Sequence, residues 1–429
     1  MKLYCAPLDH IKSGAAGTDL PIVLYSHADQ SKAVSIGATA LYRLTHSGLT
    51  VDPRAWDLLS IALSVIAADS AVHRGDSPDG WTRDLNLRIA VGDSGFWSSQ
   101  KSKLESQLRF LTTDIWTVDF VDGGILPSPP SKRKRVAPVQ DSVCLFSGGL
   151  DSLIGASDLT ADGKNPYLVS QVARGDTQKQ AYFADRIGAG LKRLELNHNV
   201  VFPWKNERSQ RARSIIFLAY GVLIATALRC YQEGKPATLY VCENGFISIN
   251  PPLTIARVGS LSTRTTHPVF MDQFESMLAA ASLHVKIENP YQFKTKGEML
   301  KEAADQAFLK SHAAQSTSCG RFAHFGYRHC GRCVPCLIRR ASFHTWGKTD
   351  DTEYVYDDLS KDDSDHACFD DVRSAAVAVA EANAEGFDRW IRPRLSLAAS
   401  SLGDATPYCE VVRRGLAEVG KFLSVMGVK

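Results

Sequence analysis

The run Cys319-GRFAHFGYRH-Cys330-GR-Cys333-VP-Cys336 sets four thiols close together: two overlapping Cys-x-x-Cys steps share Cys333, and a fourth cysteine lies across an aromatic loop. Four thiolates so spaced can close a tetrahedron around Zn²⁺, the geometry of a structural site with no open position for a reactant. Disulfides and a redox Cys-x-x-Cys pair are the alternatives. The first needs an oxidising compartment that nothing in the sequence suggests, and the second does not ordinarily come as overlapping steps. His324 and His329 lie inside the run and are outer supports at most, because four thiols complete the shell. A structural zinc braces a region without saying what that region does.

The residues that carry chemistry are Ser147, Gly148, Gly149, Leu150, Asp151 and Ser152, placed directly after the apolar run Val143 to Phe146. Adjacent glycines let the backbone turn tightly and bring its N–H groups close to an anion. A helix that follows would aim the positive end of its dipole at the same place. Ser147 and Ser152 add hydroxyl donors, and Asp151 can orient an amide or a Mg²⁺ ion. Such a nest suits phosphate. It is not a Walker loop, since no G-x-x-x-x-G-K-[ST] is present, and this disfavours a kinase or motor ATPase. Lys294 and Lys296 can neutralise phosphate or a leaving pyrophosphate, although two lysines before a helix are often simply solvated. Glu243 and Asn244 follow a predicted strand at its C-terminal end, where open α/β sheets bind ligands, and are expected to face the pocket. His267, before Pro268, reads as a satisfied loop histidine rather than a base. Asp69, His73 and Asp76 read as surface polar residues after a helix.

These groups need a scaffold, and the pattern past residue 140 supplies one. Strands at Val143 to Phe146, Tyr167 to Val172 and Leu239 to Cys242 alternate with helices from Ser152, over Gln178 to Ile187 and over Ile215 to Leu228. That alternation predicts a parallel sheet with helices on both faces. Upstream, strand-like runs (Pro21 to Tyr25, Leu85 to Val91, Trp116 to Val121) accompany a helix from Asp52 to Ala71, with Asp52 as cap and Pro53 at the first helical position. That region is α/β or α+β and holds no catalytic constellation. The expected organisation is an accessory domain over 1–126 and a basic, Pro-rich linker over 127–140. An α/β catalytic domain with the zinc site spans 141–348, and an acidic segment with a helical extension spans 349–429. With 429 residues, 44% hydrophobic and 22% charged, the chain has the composition of a globular protein, and its net charge of +3 is too small by itself to indicate a nucleic-acid partner, which stays possible but not indicated. The KRKR of the linker is its one polyanion-like patch. No apolar run reaches the roughly 20 residues of a membrane span and no secretory leader is evident, so a cytoplasmic protein away from the membrane is expected.

FSGGLDS resembles the SGGxDS signature of the PP-loop, or N-type, ATP pyrophosphatases. Within that group the cysteine run with CLIRRASF resembles the CGxCxxCxxRxxxF pattern of QueC, the 7-cyano-7-deazaguanine synthases. Phe293 to Glu298 is similar to their K-T-K-x-E element, and Arg211 and Arg213 resemble a basic position those enzymes use near the nucleotide. The resemblance covers Val143 to Phe343. It implies an adenine nucleotide alpha hydrolase-like fold, structural Zn²⁺, and ATP with Mg²⁺. ATP would be held by Ser147 to Ser152 with Arg213, next to the Glu243 and Asn244 expected from their place at the strand end, while Asp151, Lys294 and Lys296 serve catalysis. The implied reaction adenylates a 7-carboxy-7-deazaguanine-type carboxylate and forms an amide or nitrile. Three features depart from the pattern: the flanking segments, a wider Cys319–Cys330 gap, and a pocket segment replaced by Glu243-Asn244-Gly245 and Ser262 to Pro268. The extended architecture most resembles QatC-type proteins of the Qat anti-phage system and QueC-like proteins of CBASS operons. This implies protein partners from a defence operon and conjugation of the deazapurine-like group to one of them. A tRNA-modifying PP-loop enzyme and a non-catalytic nucleotide-binding subunit are the alternatives.

Overall fold

Runs buried on both faces become central strands, and the chain has two sets of them in the computed structural model, which describes residues 1–13, 17, 19–28, 33–126, 130–131, 133–172, 175–202, 204–254, 264–361, 371–399 and 403–428. Strands β1 (Lys2–Pro7), β2 (Leu20–Leu24), β3 (Val34–Ile36), β4 (Asp84–Val91) and β5 (Ile115–Asp122) form the first sheet, in the order β3-β2-β1-β4-β5. Every pairing is parallel, so this unit is α/β and not α+β. Helix α1 (Pro53–Ala71) starts as its sequence predicts: the Asp52 carboxylate accepts the Arg54 N–H at 2.8 Å and Pro53 opens the first turn. All but its first two residues are buried, because it packs between this sheet and a helix of the second unit.

That packing overturns one expectation. Asp69 is fully buried and belongs to an ionic cluster: Arg83 bonds both Asp69 and Asp114, and Arg74 bonds Asp114 through both Nη atoms. Asp76 is exposed, as the sequence suggested, and His73 is half-exposed beside Glu207.

The second sheet has β6 (Ser142–Leu145) at its centre, with β7 (Pro166–Gln171), β8 (Arg193–Leu196), β9 (Ala237–Tyr240) and β10 (Val285–Glu288) in the order β10-β9-β6-β7-β8. All four pairings are parallel. Helices α2 (Leu150–Ala161) and α3 (Thr177–Ala184) follow β6 and β7, and α4 (Arg213–Ala227) precedes β9. The chain runs outward from β6 to β8 and then crosses back to β9, so the switch point, where such sheets bind ligands, lies between β6 and β9. Helix α4 packs on α1, and the two sheets share one buried cluster through this pair. Among the described residues no helix is long and apolar enough to cross a membrane.

Helices α5 (Gly245–Ile249), α6 (Pro268–Ala280) and α7 (Lys296–Glu302) surround the switch point, and α8 (Val334–Trp346) carries Cys336, the last cysteine of the four-thiol run. A helical tail follows: α9 (Asp371–Glu385), α10 (Phe387–Ala399) and α11 (Thr406–Val425). Of the predicted linker, residues 127–129 and 132 lie outside the described residues, as do 362–370 of the acidic stretch and Ser262 and Thr263. Helix α11 docks on α7, where Glu418 accepts the Thr295 hydroxyl and Arg414 Nε bonds Glu298 at 2.6 Å. Burial, and secondarily the charge of Glu298, pushes the Glu418 carboxyl from 4.5 up to about 7. The folded state therefore keeps this proton in a pH window where the unfolded chain has lost it. Stability falls as pH rises through that window, by up to about 3 kcal/mol. Glu418→Gln should flatten this fall, as read from urea midpoints on either side of the window.

Candidate functional site

The loop after β6 is held by three separate contacts. Gly148 adopts φ +81°, a left-handed conformation that suits glycine, and Gly149 caps α2. The Ser147 hydroxyl accepts the Gly149 N–H and lies 3.2 Å from the Ser152 hydroxyl, which donates to the Gly149 carbonyl at 3.0 Å. Gln180 Nε2, from α3, bonds the carbonyls of Ser147 (3.0 Å) and Gln171 (3.1 Å), tying the loop to the end of β7. From the other side, Thr317 forms a parallel bridge with Gly149 and donates its N–H to the Gly148 carbonyl at 3.2 Å. Gly149 has an ordinary extended backbone, and a side chain there would meet the Thr317 carbonyl at 3.1 Å, so the second glycine serves the close approach of Thr317 while Gly148 makes the turn.

Asp151 sits buried in the first turn of α2. Lys296 Nζ is 2.9 Å from its Oδ1, and Asn244 Nδ2 donates to its Oδ2 at 2.8 Å. Burial alone would raise this carboxyl, but the Lys296 ammonium leads a set of partners that hold it below the ordinary carboxylate range. Glu243, beside it, is driven well above its ordinary value, first by burial and then by the Asp151 charge. One carboxylate and one carboxylic acid therefore share the floor of the site. Lys296 is directed inward by a capping box, in which Thr295 Oγ1 accepts the Glu298 N–H and Glu298 accepts the Thr295 N–H. Asn244 is buried and caps α5 through the Ile247 N–H, so its side chain orients Asp151 and is not free to meet a ligand.

Above this floor lies a cavity of about 170 Å³, lined by Ser147, Ser152, Gln171, Ser214, Glu243 and Thr266 among others. The structure thus gathers Ser147, Gly148, Gly149, Asp151, Ser152, Glu243, Asn244 and Lys296 around one point. Leu150 is buried in the core beneath. Two predicted residues are not brought there. Lys294 turns outward into an ion pair with Glu302 (2.8 Å), and Arg213 is exposed, its charge acting on His198. His267 caps α6 and packs edge-on to Phe110, and its ring is pushed down to about 4 by burial and then by Arg264, as befits a neutral structural histidine.

The four cysteines converge as their spacing predicts. All are buried, their Sγ atoms lie within 4.8 Å of one another, and none is in a disulfide. The Cys330–Cys336 and Cys319–Cys333 Sγ separations are both 3.9 Å. A tetrahedron with Zn–S arms of about 2.3 Å has edges of roughly 3.8 Å, so the set fits zinc. Backbone N–H groups of Arg321 and Cys330 point at the Cys319 sulfur, and that of Cys333 at the Cys330 sulfur. His329 stands outside, accepting the Ser318 N–H at 3.1 Å. Arg339, fully buried on α8, donates to Ser316, Ser318, Thr352 and the Ala313 carbonyl, and so fixes the segment that carries Thr317 to the glycine loop. Sequence reasoning passed over Gln180, Thr317 and Arg339; only Arg339 lay inside a quoted motif.

Comparison with known proteins agrees with this geometry. A family described as QueC, Queuosine biosynthesis protein QueC, matches residues 265–347. The 7-cyano-7-deazaguanine synthase of Methanothrix thermoacetophila is 26% identical over 239 residues, which span 50% of this chain and 99% of that protein. The enzyme of the same name from Methanococcus aeolicus is 23% identical over 235 residues, again 50% and 99% of the two chains. That of Allorhizobium ampelinum is 37% identical over a shorter stretch of 90 residues, 20% of this chain and 36% of that one. With the glycine loop at the switch point and the cysteine tetrad braced against it, the chain is a QueC-like PP-loop protein.

Proposed function

We propose that the protein adenylates a carboxylate of the 7-carboxy-7-deazaguanine type at the expense of ATP. The observation that supports this most is the loop Ser147–Ser152, whose two serines line a cavity while a buried Asp151–Lys296 ion pair stands at the start of the helix that follows. The loop amides and the start of α2 bind the phosphates. A carboxylate oxygen of the substrate attacks the α-phosphorus, the bond to the bridging oxygen breaks, and pyrophosphate leaves. An amine nitrogen then attacks the acyl carbon and AMP departs, giving an amide; loss of water from a primary amide gives the nitrile. Lys296 stabilises the developing negative charge, and Asp151 and Asn244 hold it in place. The Asp151–Glu243 pair suits Mg²⁺, since a cation there would offset both the burial and, after it, the Asp151 charge that raise the Glu243 carboxyl; bound, it would neutralise phosphate charge. The cysteine tetrad would hold Zn²⁺ as a closed structural ion that braces Thr317 against the loop.

In the finer reading the nucleophile belongs to a partner protein of a defence operon, and the protein acts in the cytoplasm, where its thiols stay reduced. What supports this is the half of the chain beyond the aligned relatives, which leaves room for a second sheet and a helical tail. The test incubates purified protein with ATP, Mg²⁺ and 7-carboxy-7-deazaguanine, with and without proteins encoded beside it, and follows AMP and intact masses. AMP with a free nitrile supports synthase chemistry, and a mass gain on a partner supports conjugation. No AMP under any combination would sink both.

A further inference from the structure

A second concavity, a groove of about 740 Å³, lies beside the clamp that holds the glycine loop. Helix α3 and the helix Gln306–His312 contribute Lys179 and Lys310 to its lining. The loop between Cys319 and Cys330 contributes Phe322 and Arg328, and the segment after α8 contributes Asp351 and Glu353. Two of these sources fall outside the family pattern. The Cys319–Cys330 gap is the one that is wider than the family's, and Asp351 and Glu353 lie beyond Phe343, where the resemblance ends.

Lys179 ties this groove to the glycine loop. Adjacent residues of α3 pin that loop: Gln180 bonds the Ser147 carbonyl at 3.0 Å, and Lys179 Nζ donates to the Thr317 hydroxyl at 3.1 Å. The same hydroxyl donates to Asp176 at 2.7 Å, while the Thr317 backbone bridges Gly149. An ammonium has three N–H donors, and this one uses a single donor on a neutral hydroxyl. Half-burial pushes it below its ordinary value in spite of Asp176. Lys310 and Arg328 are exposed, and among the described residues neither side chain has a hydrogen-bond or ion-pair partner. Three cations with spare donors along one groove favour an oxyanion. Stacked bases are disfavoured, because Lys179 lies over the Phe322 ring at 4.6 Å and Arg186 over the Tyr182 ring at 3.7 Å. An extended polyanion would also meet the charges of Asp351 and Glu353. The ligand that fits is compact.

We propose that this groove is a binding site for inorganic diphosphate or phosphate, held by Lys179, Lys310 and Arg328. It shares no lining residue with the cavity above the glycine loop, and through Lys179 it places a second anion beside the Thr317 clamp. The site goes beyond the proposed reaction; only the naming of diphosphate as that reaction's product rests on it.

The test uses the full chain with Mg²⁺ and an excess of a non-hydrolysable ATP analogue, so that the glycine loop is already occupied. Inorganic diphosphate and inorganic phosphate are then titrated separately by calorimetry. At least one should still bind, and Lys310→Ala combined with Arg328→Ala should weaken it by about tenfold or more while leaving affinity for the analogue within about twofold. Lys179→Met should weaken it as well, and Lys179→Arg should recover part of the loss. Tighter binding of diphosphate identifies the product of nucleotide cleavage as the occupant; phosphate bound as tightly identifies the free ion. The proposal falls if neither anion titrates in the presence of the analogue. It falls equally if the double variant melts like the wild type and binds both anions within about twofold of it. A chain that binds no analogue, yet holds an anion that the double variant loses, would refute the proposed reaction and leave this site standing.

Discussion

Asp151→Ala will end AMP and pyrophosphate release, a drop of at least about a hundredfold, and will also cost about 3–5 kcal/mol of stability. The second half follows from the burial of its partner. Lys296 is 5% exposed and lies 2.9 Å from the Asp151 carboxylate. Removing that carboxylate strands an ammonium in a site with little water, next to a Glu243 that burial and the Asp151 charge now keep protonated. Part of the cost is relieved when Glu243 ionises in its place. The double change Asp151→Ala with Lys296→Met removes both charges and should recover most of the stability with no recovery of activity. Urea denaturation alongside the AMP assay separates the two effects. A single variant that keeps wild-type AMP formation would remove Asp151 from the proposed chemistry.

Cys333→Ala will release zinc and lower stability by at least about 3 kcal/mol, and it will silence the loop although no cysteine touches it. Cys333 supplies one corner of the tetrad and caps α8, whose Arg339 fixes the segment leading to Thr317. Once that segment loosens, the bridge between Thr317 and Gly149 goes with it. Metal analysis by mass spectrometry should find one zinc per wild-type chain and none in the variant. Nucleotide affinity should fall in step with zinc content across a chelator titration. Full nucleotide affinity in the zinc-free protein would show that the tetrad and the loop are independent.

The elements that place the site were legible because their signals are local. β6 is a short, mostly apolar run followed within a few residues by two glycines, α1 carries its own cap and proline, and the cysteine spacing limits how the tetrad can close. The lysines show where such reading stops. Lys294 and Lys296 are two residues apart in one motif, and only the capping box from Thr295 to Glu298 directs one inward and leaves the other to Glu302. Arg213 and Arg211 pose the same problem, and the buried one is not the one singled out. Asp69 read as a surface residue because its partners Arg83 and Asp114 come from other elements, brought close only by tertiary packing. Polar residues at the end of a helix give no local sign that distant charges will enclose them.

The bridge between Gly149 and Thr317 also sets an order of events during synthesis. The loop leaves the ribosome well before its own clamp, which arrives about 170 residues later, a delay of roughly 10–30 s at ordinary elongation rates. The thiols follow only after that. A nascent chain would display the glycine loop in unfinished form, and the finished nest would appear only when the metal knot closes. Zinc supply would then act as a checkpoint on maturation, keeping an immature chain from consuming nucleotide before its pocket is complete.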